Sequence, residues 1–221
     1  MALAKLKEKK IQTCTVEEYL ELDRSSDERY EFVDGQIYLM AGESGNHGDV
    51  SMNLAAELRF QLKGKDCRVR TKDTKIKSGS FAQKPNQKTK GMFSYPDLVV
   101  ICGEPDYHDK HKDIVLNPSV IIEVLSDSTA EFDRTNKFTR YRMFNPTLTD
   151  YILVSQDKPM VEHFVRNEDG DENGWKVFIY LGTNEVLKID SIECRIKLAE
   201  IYDRIEFSRQ TLAELADIIN N

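Results

Sequence analysis

Val120-Ile-Ile-Glu-Val-Leu125 is an apolar run of six residues with a single acid in it. Helix-capping residues follow at Ser126-Asp-Ser-Thr129, and Pro146 ends the helical pattern. Tyr151-Ile-Leu-Val154 is a second unbroken apolar run. Such runs are typical of strands that are buried on both faces. The stretch therefore predicts two parallel strands joined by a helix, a right-handed βαβ crossover.

The segments on either side of this crossover add strands and helices. Tyr30 to Met40 alternates around Asp34-Gly35, a dipeptide favoured in two-residue hairpin turns. Apolar residues recur at helical spacing from Asn46 to Lys63, and Gly64 ends that helix. Further strands are predicted at Cys67–Ile76 and Tyr95–Cys102, and a further hairpin at Met160–Val165 with Trp175–Leu181. Together these elements predict an α/β fold, a mixed β-sheet flanked by helices.

The chain has 221 residues, which suits one domain with small appendages. We expect a flexible segment at 1–12, a single α/β domain at 13–207 and a C-terminal helix at 208–221. No apolar run approaches the roughly 20 residues of a membrane span, so we expect no membrane partner and a cytoplasmic location. The four cysteines are scattered, which predicts reduced thiols and no disulfide framework.

The charge of the chain is unevenly distributed. The formal net charge is −7, yet residues 63–90 hold ten basic residues and two acids, so the rest of the chain carries −15. Such a basic stretch binds a polyanion or is a solvated loop, and both interpretations stay open. The candidate nucleic-acid contacts are Lys75, Lys77, Lys84, Lys88 and Lys90.

Two acids stand where acids are disfavoured. Asp97 begins one apolar strand and Glu123 interrupts another, and burial of an unpaired carboxylate costs several kcal/mol. If the two strands are neighbours, both carboxylates converge on one point, which suits a divalent cation bound through oxygen, such as Mg²⁺ or Mn²⁺. The alternatives are that Asp97 caps a turn after Pro96 and that Glu123 pairs with a basic side chain.

A lysine is placed to join these acids. Lys137 lies about two turns into the helix after Glu123, and this helix must run back along its strand. A lysine leaning toward the helix N-terminus can reach the level of Glu123. The alternative is a surface ion pair with Asp133, four residues earlier.

These segments, in this order, resemble the PD-(D/E)XK nuclease superfamily and its bacterial restriction-endonuclease-like branch. The resemblance covers roughly Thr13 to Leu181 and rests on motifs that include Pro96-Asp97-Leu-Val-Val and Ile122-Glu123-Val-Leu-Ser126. Leu125 occupies the position where the superfamily has its lysine, and the resemblance implies that Lys137 takes over that role. It also implies that Asp97, Glu123 and the carbonyl of Val124 bind Mg²⁺, which activates water for attack on a phosphodiester.

Three further residues are candidates for the same site. Glu31 is an additional metal ligand or a polar residue on an exposed hairpin face. Tyr141 positions a phosphate or packs in the core. His47, at the start of the second helix, reaches a bound phosphate or is simply solvated.

The resulting prediction is an Mg²⁺-dependent endonuclease that acts on a nucleic acid, with DNA the expected substrate and a homodimer expected by analogy. The alternative is a binding or accessory protein that keeps the fold without cleavage, favoured by Leu125 and by the net negative charge. A structural or dimerisation module, in which the acids form plain ion pairs, is the third possibility.

Overall fold

The structure is a computed structural model that describes residues 14–40, 42–79, 90–167 and 174–220. The helices are α1 (Val16–Ser25), α2 (Gly45–Gln61), α3 (Ala130–Phe132), α4 (Phe138–Phe144), α5 (Leu198–Ile201) and α6 (Arg209–Asn220), with a π-helical turn (Asp133–Lys137) between α3 and α4. The strands are β1 (Tyr30–Val33), β2 (Gln36–Leu39), β3 (Cys67–Thr71), β4 (Lys75–Ser78), β5 (Met92–Ser94), β6 (Leu98–Cys102), β7 (Ile114–Val115), β8 (Val120–Leu125), β9 (Asp150–Ser155), β10 (Met160–Arg166), β11 (Trp175–Leu181), β12 (Val186–Ile189) and β13 (Cys194–Lys197).

The central sheet has six strands in the order β11-β10-β9-β8-β6-β3. Strands β8 and β9 are parallel, with Ile122 opposite Ile152, and the connection between them contains α3 and α4. Every residue of both strands is buried, as their unbroken apolar runs predict. The predicted βαβ crossover and the α/β fold class, a mixed sheet flanked by helices, are confirmed.

Helices cover both faces of this sheet. On one face Val50, Leu54 and Leu58 of α2 pack against Val100 and Ile122. Because these apolar positions of α2 recur every four residues, one stripe of the helix meets the sheet. On the other face Phe138 and Tyr141 of α4 belong to a second apolar cluster with Ile121 and Tyr151. Glu123 in β8 points to this second face, so α4 covers it.

A second sheet, in the order β2-β1-β5-β4-β7, adds to the predicted one. The prediction of a single strand at Cys67–Ile76 is wrong, because the chain turns after Thr71 and passes from the first sheet to the second. The amide of Thr74 donates to the carbonyl of Thr71 at 3.1 Å and closes this turn.

The predicted hairpin of β1 and β2 is confirmed. Asp34 and Gly35 have φ angles of 50° and 85°, as a type I′ turn requires.

The prediction for the cysteines is wrong in part. Cys67 and Cys102 form a disulfide bond, while Cys14 and Cys194 are free. The two bonded residues lie directly opposite each other on the antiparallel strands β3 and β6. Their proximity depends on strand register, which the spacing of cysteines along the chain does not give.

The expected domain division stays a prediction. The whole of the expected flexible segment, 1–12, lies outside the described residues, and the C-terminal helix runs over Arg209–Asn220. Within the described ranges, the helices are all too short or too polar to cross a membrane.

Candidate active site

Asp97 lies directly before β6, and its carboxylate forms hydrogen bonds to β8 and to α2. Its Oδ2 accepts a hydrogen bond from the backbone N–H of Val124 at 2.7 Å. Its Oδ1 lies 2.8 Å from Nε2 of His47, in the first turn of α2. The side chain of Ser44 caps α2 and accepts from the amide of His47, which fixes this histidine at the helix start. In this arrangement His47 contacts Asp97 and orients its carboxylate.

The charge of Asp97 changes the protonation of its partner. Burial works against the charged form of His47, but the hydrogen bond and the negative charge of Asp97 outweigh burial and raise its pKa. The side chains of His47 and Asp97 are 14% and 15% exposed, so this pair is more accessible to solvent than Glu123 and Lys137.

Glu123 lies deeper, in the middle of β8, and is 3% exposed. Its Oε1 is 3.3 Å from Nζ of Lys137 and accepts from the hydroxyl of Tyr141 at 3.3 Å. The Tyr141 hydroxyl is also 2.8 Å from Oγ of Ser94. Tyr141 is fully buried and packs in the core, which is one of the two interpretations of this residue, the other being contact with a phosphate. Its hydroxyl also holds Glu123 in position.

Lys137 is the last residue of the π-helical turn and is buried. Its Nζ lies 3.2 Å from Asp133, 3.3 Å from Glu123 and 3.4 Å from Glu31. The predicted contact with Glu123 and the alternative contact with Asp133 are both present, and neither lies on the surface. A π-turn inserts an extra residue into an α-helix and often occurs at functional sites.

Glu31 enters the cluster from the hairpin of the second sheet. Its side chain is 14% exposed, and its Oε1 accepts a hydrogen bond from the backbone N–H of Tyr95 at 3.0 Å. The alternative of an exposed hairpin face is therefore wrong. The two sheets meet at this point, because Glu31 comes from one sheet and Glu123 from the other.

The cluster holds more negative charge than its cations balance. Three carboxylates, Glu31, Glu123 and Asp133, surround the ammonium group of Lys137, and Asp97 is near. Burial raises the pKa of Glu123 well above its usual range, and the charges of Asp133, Asp97 and Glu31 add to this increase against the opposing effect of Lys137. Burial opposes the charge of Lys137 too, but Asp133 and the two glutamates raise its pKa. A further cation would relieve this imbalance.

The donor atoms suit one class of metal ion. Mg²⁺ binds carboxylate oxygens, and it commonly takes one or two of them and fills its other positions with water and substrate phosphate. Asp97, Glu123 and the carbonyl of Val124 are donors of this kind. Within the described ranges, no three His, Cys, Asp or Glu residues are grouped so that they could hold an ion by themselves. The residues fit a partly hydrated ion shared with a substrate, and they do not form a closed cage.

Two residues of the cluster were not assigned to the site from the sequence. Asp133 was considered only as a surface partner of Lys137, whereas the structure buries it with its Oδ1 3.2 Å from Nζ of Lys137. Ser94 supports Tyr141 and has no sequence signal beyond its position just before Tyr95-Pro96-Asp97.

The predicted basic contacts divide into different groups. The prediction that Lys75 contacts nucleic acid at the surface is wrong, because its ammonium group is buried between Asp23 and Asp113. Lys77 is partly buried, 3.3 Å from Nδ1 of His108. Lys84 and Lys88 lie outside the described residues, and Lys90 is exposed.

Lys90 lines a cleft of about 450 Å³ beside the π-turn. Arg140 lies in the same cleft and donates to Asp34 at 2.6 Å. The cleft is also lined by the polar side chains of Thr135, Asn136 and Thr139 and the apolar side chains of Met143 and Phe144.

Comparison with known proteins finds a family model and curated relatives that match the chain. The model of the Uma2 family, described as "Putative restriction endonuclease", matches residues 16–199. Two proteins of Synechocystis sp. (strain ATCC 27184 / PCC 6803 / Kazusa), slr1290 and sll1609, are each 34% identical to the chain. The matches cover 86% and 77% of this chain, and 92% and 89% of the relatives.

One solved structure has the same fold. It is the crystal structure of a protein from Anabaena variabilis ATCC 29413 described as "a putative nuclease belonging to DUF820". The TM-score is 0.67 at 12% sequence identity, over 89% of this chain and 99% of that chain.

Proposed function

Since the chain belongs to the Uma2 family, we propose that it is a divalent-cation-dependent endonuclease that hydrolyses phosphodiester bonds in DNA. The observation that carries this proposal is the position of Lys137. Its Nζ lies 3.3 Å from Glu123, although Leu125 occupies the usual lysine position of the superfamily. In this proposal Lys137 takes the role of the lysine that the superfamily has at the position of Leu125.

Asp97, Glu123 and the carbonyl of Val124 would hold Mg²⁺ or Mn²⁺. When bound, the ion would supply Lewis-acid activation of the phosphate and of a water molecule. Glu31 is a further candidate ligand from the hairpin.

The residues of the chain have distinct roles in this proposal. His47 and the amide of Val124 hold the two oxygens of Asp97, and Tyr141 holds Glu123. The ammonium group of Lys137 positions the attacking water and stabilises the negative charge that develops on the phosphate. In-line attack at phosphorus then breaks the bond to the 3′ oxygen and leaves a 5′-phosphate and a 3′-hydroxyl.

The assembly and its location are part of the same proposal. Cleavage of both strands of a duplex is simplest for a two-fold homodimer, in which each copy cuts one strand. The cytoplasmic location stays a prediction.

The test compares purified wild type with Asp97→Asn and Glu123→Gln on plasmid DNA, single-stranded DNA and RNA, with Mg²⁺, with Mn²⁺ or with chelator. We expect cleavage only with a divalent ion and its loss in both variants. Glu162→Gln is the matched control, because Glu162 pairs with Arg134 at 2.6 Å outside the site. A wild-type rate for Glu123→Gln, with folding intact by circular dichroism, would contradict the proposal.

A second candidate function is nucleic-acid binding without cleavage. The observation that favours it is Leu125, which occupies the usual lysine position of the superfamily. It predicts binding that weakens steeply with salt and no strand breaks under any ionic condition.

A further inference from the structure

Strand β11 leaves one edge of the central sheet open. It pairs with β10 on one side, and no strand of the described chain pairs with its other side. Val177, Phe178 and Ile179, in its middle, are 51%, 47% and 62% exposed. Proteins usually protect such edges with charges, proline or a covering element, because an open apolar edge pairs with another chain. Lys176 is the only charged residue of β11, so this edge has little such protection.

Helix α6 extends the same apolar surface. Leu215 anchors the helix and is buried, whereas Leu212, Ile218 and Ile219 are 45%, 63% and 55% exposed. The helix lies beside the end of β11, since a Cβ placed on Gly182 would be 3.6 Å from Cδ1 of Ile219. Ile219 of α6 therefore lies at the same sheet edge as β11, and we call the exposed apolar residues of the two elements the β11–α6 face. Within β11, Val177 and Ile179 point to one side of the sheet and Phe178 to the other.

The β11–α6 face has six apolar side chains that are 45–63% exposed, beside a backbone edge with which no described strand pairs. The largest apolar patch on a typical monomer is about 300–600 Å² and is often functional. A standard interface buries about 800 Å² per partner, so the interface must include both these side chains and the backbone edge.

We propose that the β11–α6 face is the interface between two copies of this chain, with β11 paired antiparallel to β11 of the second copy across a two-fold axis at Phe178. In this register the apolar residues meet one another: Phe178 faces Phe178, and Val177 faces Ile179. Lys176 faces Tyr180, so no like charges oppose each other. An isologous contact of this kind closes after two copies and joins the two central sheets into one of twelve strands.

This inference rests on the homodimer of the proposed function and names its surface. It does not depend on cleavage, because the face lies on β11, three strands from β8 and Glu123. Assembly and cleavage can therefore fail independently.

The first experiment is sedimentation equilibrium of the full chain over a concentration series. We expect wild type to be dimeric at micromolar concentration and the double variant Phe178→Lys with Ile179→Lys to dissociate at least 100-fold more readily. The matched control is Met52→Lys with Phe60→Lys, two exposed apolar residues of α2, which should leave the dimer intact. A monomeric wild type, or a double variant that stays dimeric, would overturn the proposal.

The second experiment tests the register by cysteine cross-linking under mild oxidation, with wild type as the background for Cys14 and Cys194. Phe178→Cys should form a covalent dimer, because directly opposed residues have Cβ atoms about 4.5–5.5 Å apart. Ile179→Cys alone should not form a covalent dimer, because residue 179 faces residue 177 of the other copy. A mixture of Ile179→Cys and Val177→Cys should form one. If residues 1–13 cover the face instead, Phe178→Cys stays monomeric until those residues are removed, and the proposal is wrong. The Glu123→Gln variant should dimerise like wild type, whatever its cleavage.

Discussion

Among the described residues, two lysines are buried among carboxylates, and their surroundings differ. Lys75 lies 2.5 Å from Asp23 and 2.8 Å from Asp113. Lys137 lies 3.2–3.4 Å from each of three carboxylates. The first cluster has short contacts that satisfy its acids, and the second spreads one cation over three acids.

The remaining donors sharpen this contrast. Asp23 also accepts from the hydroxyl of Tyr95 and the amide of Tyr30, and Asp113 accepts from Arg24. Burial disfavours the charge of Asp113, but hydrogen bonds from Arg24 and Lys75 outweigh it and lower its pKa. Glu123, by contrast, has a raised pKa. A satisfied ion-pair cluster stabilises the fold, whereas a cluster with unbalanced negative charge is suited to bind a cation.

The largest expected effect is on stability, at Lys75. We expect Lys75→Met to lower the free energy of unfolding by about 3–5 kcal/mol, because removal of one partner leaves buried charges uncompensated. At temperatures where the variant is folded, cleavage should continue at the wild-type rate. Urea denaturation measures the first quantity and a plasmid assay the second. A large loss of cleavage in the folded variant would mean that the Lys75 cluster is functional.

The same cluster predicts a pH dependence. The pKa of Asp113 is lowered on folding, so its contribution to stability is present above the ordinary value of about 3.9 and is lost as pH falls toward the lowered value. Wild type should lose this contribution below about pH 4. In Lys75→Met the loss should be smaller, since only Arg24 still lowers the pKa. Denaturation curves between pH 3 and pH 6 compare the two proteins, and parallel curves would contradict the assignment.

The next effect is on chemistry, at Lys137. We expect Lys137→Met to reduce cleavage about 10²- to 10³-fold, the usual cost of removing one group that stabilises charge in a transition state. Lys75→Met, assayed while folded, is the matched control for the loss of a buried lysine. Equal cleavage by Lys137→Met and wild type would show that the helix lysine is not part of the active site.

The sequence could not separate these two lysines. The position of Lys137 beside Glu123 could be predicted from local geometry, since one strand-to-helix reversal of predictable length separates the two residues. Lys75 was assigned to a basic surface because its partners, Asp23 and Asp113, are remote in the chain and meet it only through the second sheet. That sheet was not predicted, because the turn after Thr71 interrupts an alternating pattern without glycine or proline.

Local patterns did predict much of the remaining fold. The hairpin turn at Asp34-Gly35, the apolar stripe of α2 and the parallel pair β8 and β9 all follow from short-range spacing. The inward position of Glu31 and the Cys67–Cys102 bond do not, because both depend on the packing of strands that are distant in sequence. The candidate site was therefore predictable where one crossover contributes its residues and unpredictable where a second sheet contributes them.

A smaller effect is expected at Glu31. If Glu31 adds to the negative charge that attracts a metal ion, Glu31→Gln should need about 10- to 100-fold more Mn²⁺ for half-maximal cleavage, the usual cost of losing a group near a metal site. A titration of cleavage against Mn²⁺ measures this shift. The control is Glu28→Gln, an exposed residue just before β1, which should titrate like wild type. An unchanged titration for Glu31→Gln would assign Glu31 to a purely structural role.

The smallest effect is expected in the cleft of Lys90 and Arg140, where cation and carboxylate are again matched. Arg140 donates to Asp34 at 2.6 Å, so a nucleic-acid phosphate bound there must compete with this carboxylate. We expect Arg140→Ala to weaken DNA binding by less than about tenfold and to reduce the salt slope by about 1. Asp34→Asn should strengthen DNA binding, because it removes the competing charge. Fluorescence anisotropy across a salt series measures the affinity of both variants. The control is Arg59→Ala, at an exposed position of α2. If both variants bind like wild type, the phosphate path does not cross this cleft, and the basic residues that contact DNA lie elsewhere.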